Sequence, residues 1–131
     1  MSKPEFVNID MELSSSEDLS PIANELDGKI YVLQNKFEGE DYKLSFECSL
    51  NEDQPSNVLA QYVKLINGLS ENSKDLLKKC NSRILDLGYE SGMGSVLSNS
   101  IPSAVISDLV TLKFDFVVTI YPVDENEAEI S

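Results

Sequence analysis

Five carboxylates, Asp10, Glu12, Glu47, Asp86 and Asp115, fall on the polar side of segments that alternate polar and apolar residues. Carboxylates gathered on one sheet face can hold Mg²⁺ or Ca²⁺, or work as an acid–base pair. They can equally meet a basic protein, or simply face water. None of the five has the spacing of a calcium loop. Histidine is absent, which removes the commonest general base, the Ser–His and Cys–His nucleophile pairs, and the most frequent zinc ligand. Cys48 and Cys80 are too few for a disulfide framework, and each lies on an apolar row where a thiol behaves as a small hydrophobe. Gly88, Gly92 and Gly94 form a glycine-rich stretch. A phosphate cradle would need a helix starting directly behind it. Val96 and Leu97 intervene, so the stretch is expected to be a plain hairpin turn. No catalytic group, metal or cofactor is expected, and the chain does not read as an enzyme.

Charge separates the remaining readings. The net charge is −13. Residues 1–53 carry −9, residues 54–83 carry +3 and residues 84–131 carry −7. Such a field repels nucleic acid and anionic membranes and speeds encounter with a basic partner. The basic exception is Lys74, Lys78, Lys79 and Arg83. Internal charge balance and helix C-terminal stabilisation explain that cluster better than nucleic-acid binding does. Acidic turns reach further into a partner than strands do. The residues expected to bind a partner are therefore Glu38, Glu40 and Asp41 in one turn, Glu52 and Asp53 in a connection, and Asp10 and Glu12 on the first strand.

The elements that must position these groups follow from periodicity. With 131 residues, 41% apolar and 25% charged, the chain has the make-up of one soluble domain spanning 1–131. No apolar run approaches a membrane span, and MSKPEFVNID has no signal-peptide core, so a cytoplasmic protein is expected. EFVNIDMEL reads as a strand with Val7, Ile9, Met11 and Leu13 inward. A helix capped by Ser16 follows, carries Leu19, Ile22, Ala23 and Leu26, and stops at Gly28. Ile30–Phe37 and Tyr42–Leu50 form a hairpin across a loop of five or six residues. Pro55 opens a helix with Val58, Leu59, Tyr62, Val63, Ile66 and Leu69, and Ser70 or Ser73 caps the next. Arg83–Tyr89 is a strand, and Ser100 caps a helix with Pro102 in its first turn. Leu112–Tyr121 alternates strictly, so it is expected inside the sheet with helices over Leu112, Phe114, Phe116, Val118 and Ile120. The acidic tail from Val123 is expected to fray. The order β-α-β-β-α(α)-β-α-β is ferredoxin-like with an extra helix and strand. It predicts an α+β fold, a largely antiparallel sheet of about five strands with helices mainly on one face.

The stretch LGYESGMGSVLSNSIPSAVISDLVTLKFDFVVTIYP, with the β-helix-ββ-helix order before it, resembles a bacterial family, domain of unknown function four-two-seven-nine. The tryptophan often seen there between the early strands is missing. Small acidic proteins of this build are similar to immunity proteins, the cytoplasmic antidotes of toxin systems such as contact-dependent growth inhibition. The resemblance implies binding to a cognate basic toxin domain. The alternative is a small-molecule-binding or regulatory α+β domain without catalysis.

Overall fold

A computed structural model describes residues 3–48 and 54–122. Leu50, Glu52, Asp53 and the tail from Val123 lie outside the described residues. The elements are β1 (Glu5–Ser15), α1 (Ser20–Glu25), β2 (Ile30–Glu38), β3 (Asp41–Cys48), α2 (Pro55–Asn67), α3 (Glu71–Lys78), β4 (Ser82–Glu90), α4 (Ser103–Thr111) and β5 (Asp115–Tyr121). The five strands lie in the order β2-β3-β1-β4-β5. β1 is antiparallel to both β3 and β4, β2 is antiparallel to β3, and only β5 runs parallel to its neighbour. The fold is thus α+β, with the ferredoxin-like arrangement from β1 to β4, α3 inserted before β4, and α4–β5 added beyond it.

Alternation explains the central strands. Ile9, Met11 and Leu13 of β1, Leu44 and Phe46 of β3, and Leu85 and Leu87 of β4 are buried on one face. Ile22, Leu59, Tyr62, Ile66, Leu77 and Leu109 meet them from the helices in one core. The opposite face of the sheet carries the polar rows. Ser70 caps α3 as expected, its side chain accepting the Ser73 N–H. Glu25 reaches across from α1 and accepts hydrogen bonds from the Ser70 N–H and hydroxyl and from the Ser73 hydroxyl.

Several expectations are corrected. β1 bulges between Phe6 and Asn8, so Val7 turns outward, 45% exposed. Phe6 takes the inward place against the Tyr89 ring, edge-on at 5.6 Å. β1 runs on to Ser15, so Ser16 caps nothing; α1 starts at Ser20, whose N–H is taken by the Asp18 carboxylate at 2.9 Å. The β2–β3 loop is only Gly39 and Glu40, with Gly39 at φ 69 and the Glu38–Asp41 pair closing it. Left-handed φ is what a two-residue hairpin turn requires. Ser100 does not cap α4; Pro102 stands at the N-cap without a side-chain bond.

The glycine-rich stretch is no hairpin, because β5 is parallel to β4 and α4 lies between them. A parallel pair needs a crossover. Gly92 has φ 58, and a Cβ there would collide with the Pro4 nitrogen. Gly92→Ala is therefore expected to push residues 3–4 off this loop and to cost about 1–3 kcal/mol. A urea melt measures the cost; an unchanged midpoint would show that the contact does not hold the loop.

The largest correction concerns Leu112–Tyr121. This segment does not begin as a strand. Leu112 is the C-cap of α4 and Lys113 has φ 63. The Phe114 N–H reaches back to the Leu109 carbonyl at 3.1 Å, and the Lys113 N–H to that of Val110 at 2.9 Å. That is a Schellman ending, with buried Phe114 and Leu109 as its apolar pair. The strand itself lies at the sheet edge, with Val118 60% and Ile120 63% exposed. No described helix covers Phe116, Val118 and Ile120 as the central strands are covered.

Candidate functional site: an acidic strip on the open sheet face

The register brings four carboxylates together on the face that no described helix covers. Asp10 of β1 pairs directly with Glu47 of β3 on one side and with Asp86 of β4 on the other. Glu12 follows on the same row of β1. Directly opposed residues have Cβ atoms about 4.5–5.5 Å apart, and like charges there repel. The ion pairs Lys36–Glu38, Lys74–Glu71 and Lys79–Glu17 involve none of the four.

Neutral hydrogen bonds hold the strip in place. The Asn8 amide nitrogen donates to Glu47 Oε2 at 2.9 Å and to Asp10 Oδ1 at 3.3 Å. Gly88 makes room for that amide: a Cβ there would lie 2.8 Å from Asn8 Oδ1. The Thr119 hydroxyl donates to Asp86 Oδ1 at 2.7 Å. These donors orient the carboxylates but supply no positive charge. Burial, then Glu47, Asp86 and Glu12, push Asp10 up to about 6. Burial and Asp86 also raise Glu12. A shallow hollow of about 240 Å³ adjoins the strip, lined by Glu12, Ser14, Gln34, Lys43, Ser45 and Ser82 among others.

Asp10 and Glu12 stand where the alternation places them. The turn residues Glu38, Glu40 and Asp41 do not join them. Asp41 is six residues along β3 from Glu47, about 20 Å at strand rise. Glu38 is already paired with Lys36 at 2.7 Å, and Asp41 accepts from the Asn81 amide at 3.0 Å. Glu52 and Asp53 lie outside the described residues. Glu47 and Asp86 complete the strip instead. Both sit on outward rows in the sequence, but only the β3-β1-β4 order makes them neighbours of Asp10. Asp115 shares the face one strand further out, opposite Ile84.

Among the described residues, no group of three His, Cys, Asp or Glu side chains is arranged to hold a metal ion. Burial pushes the Cys48 and Cys80 thiols up to about 11, so both are protonated at neutral pH. No described helix is long and apolar enough to cross a membrane. Comparison with protein-family models, curated proteins and solved structures finds no match to this chain.

Proposed function

We propose that the chain is an immunity protein, which binds a cognate bacterial toxin domain and blocks its active or substrate-binding cleft. The toxin would be a basic nuclease and the place of action the cytoplasm. The observation that carries this reading is the strip Glu47–Asp10–Asp86 with Glu12: adjacent carboxylates, with neutral donors on Asp10, Glu47 and Asp86 and a raised proton affinity at Asp10 and Glu12. A cationic cleft built for phosphates supplies the missing positive charge, and carboxylates seated in it deny the substrate access. No residue of the immunity protein need do chemistry. The resemblance in pattern to toxin-system immunity proteins points the same way.

Two consequences are measurable. A cation beside Asp10 lowers its proton affinity, so binding releases a proton near pH 6 and tightens as pH rises from 5 to 7. Association is also steered by charge. The triple variant Asp10→Asn, Glu47→Gln, Asp86→Asn is expected to associate about 10–100-fold more slowly at low salt. The test is co-purification with the product of an adjacent toxin gene, rescue of growth from that toxin, and association rates against salt. No binding at low salt, or full protection by the triple variant, would overturn the reading.

A further inference from the structure

A second site lies on the helical side, where α2, α3 and α4 end and β4 begins. It is a pocket of about 450 Å³ lined by Ile66, Asn67, Lys74, Leu77, Lys78, Arg83, Thr111, Leu112 and Lys113. The size falls within the range of ligand sites. Ile66 and Leu77 are buried and Leu112 packs against the core, so the floor is apolar. Four of the chain's ten basic residues line the walls, and none of its 23 acidic residues does among those described. On a chain of net charge −13, that is a local inversion of sign.

Helix ends alone do not account for these cations. The last carbonyls of α3 are already served by Arg83, whose Nη1 donates to the carbonyls of Leu77, Lys78 and Cys80 at 3.1, 3.3 and 2.8 Å. Its Nε donates to the Lys113 carbonyl at 3.2 Å and ties β4 to the end of α4. Arg83 is thus a fixed wall. Lys74 has only a loose pairing with Glu71, at 3.8 Å, and the Glu71 side chain is 87% exposed. The ammonium groups of Lys78 and Lys113 have no partner among the described residues. Lys113 occupies the left-handed position of the Schellman ending, φ 63, where helices ordinarily place glycine. A lysine there bears a conformational penalty and contributes nothing to the cap that glycine would not.

We infer that this pocket binds a small organic anion with an apolar body. Its carboxylate or similar head is held by Lys74, Lys78 and Lys113, and its hydrocarbon part lies on Ile66, Leu77 and Leu112. The inference is independent of the toxin-binding reading, because the pocket lies on the helical side and shares no residue with the acidic strip.

Octanoate is the probe, titrated into the full chain and followed by calorimetry and by the methyl resonances of Ile66, Leu77 and Leu112. The expected result is saturable binding of one octanoate per chain with shifts at those methyls. Octylammonium and inorganic phosphate should give neither, which separates the paired recognition from apolar contact or charge alone. Lys78→Gln should weaken octanoate at least about ten-fold, the worth of one charge-assisted hydrogen bond. Lys113→Gly should raise the melting temperature by relieving the left-handed lysine, and weaken octanoate to a similar extent. That split guards against misreading an unfolded variant as a lost site. Equal binding of octanoate and octylammonium, methyl shifts elsewhere, or undiminished affinity in both variants would overturn the inference.

Discussion

Tyr62→Ala is expected to destabilise the chain by about 3–5 kcal/mol, the usual cost of deleting a buried ring. Tyr62 of α2 is fully buried against Phe46, ring centroids 6.1 Å apart. Its hydroxyl donates to the Ile9 carbonyl at 2.7 Å and to that of Phe46 at 3.3 Å. One phenol thus joins the helical layer to two central strands. Tyr62→Phe keeps the packing and removes only the donor, and should cost about 0.5–1.5 kcal/mol, the net worth of one hydrogen bond. Urea midpoints of the two variants divide the ring's contribution from the hydroxyl's. If Tyr62→Phe were neutral, the hydroxyl would not be the pin described.

Asp10→Asn should do the opposite and stabilise the chain at pH 7.5. Its folded-state value of about 6 stands above the ordinary 3.8, so between those values the folded protein binds more proton than the unfolded one. Stability contributed by Asp10 therefore grows as pH falls from about 7 toward 4 and is lost as pH rises through about 6. A two-unit difference corresponds to at most about 3 kcal/mol; with the carboxylate half in water, screening reduces the expected gain to roughly 1 kcal/mol. Glu25 and Glu38 work in the other direction. Hydrogen bonds from Ser73 and Ser70 hold Glu25 below its ordinary value, and Lys36 does so for Glu38. Their stabilisation is present above about pH 4.5 and lost as pH falls further. The melting temperature should thus climb from pH 7.5 to about 5 and drop below 4. Asp10→Asn should flatten the climb and leave the drop. A parent chain that loses stability between pH 7.5 and 5 would contradict the strained strip. Under the proposed function the same variant should also bind its partner less tightly, since the repulsion it relieves is what that partner would neutralise.

Sequence pattern revealed the inner strands because both neighbours of each are in place. Met11, Leu13, Leu44, Phe46, Leu85 and Leu87 alternate and are buried as read. Alternation says which face a residue takes, but not whether anything covers that face. Leu112–Tyr121 sets five large apolar residues on one row, yet most of it forms an edge, and its first residues end a helix. The Schellman ending was hidden because lysine stands at the position where glycine would have marked it. The acidic strip was half legible. The outward rows were clear, whereas the meeting of Asp10 with Glu47 and Asp86 depends on strand order across 37 residues of chain to the one and 76 to the other. The turn carboxylates looked better placed because they stand in a loop, but that loop closes at the far end of β3.

The position of β1 at the centre of the sheet also governs how the chain can be made. Of the described strands β1 is made before the others, and its two neighbours are β3 and, some 70 residues further along the chain, β4. At bacterial or eukaryotic elongation rates, roughly 4–17 s separate Glu5 from Glu90. Throughout that interval one whole flank of β1 lacks its partner strand, and its backbone groups are left to water. Completion is therefore a late, concerted event, and a nascent chain halted before Glu90 would hold half a sheet and would be a ready client for chaperones.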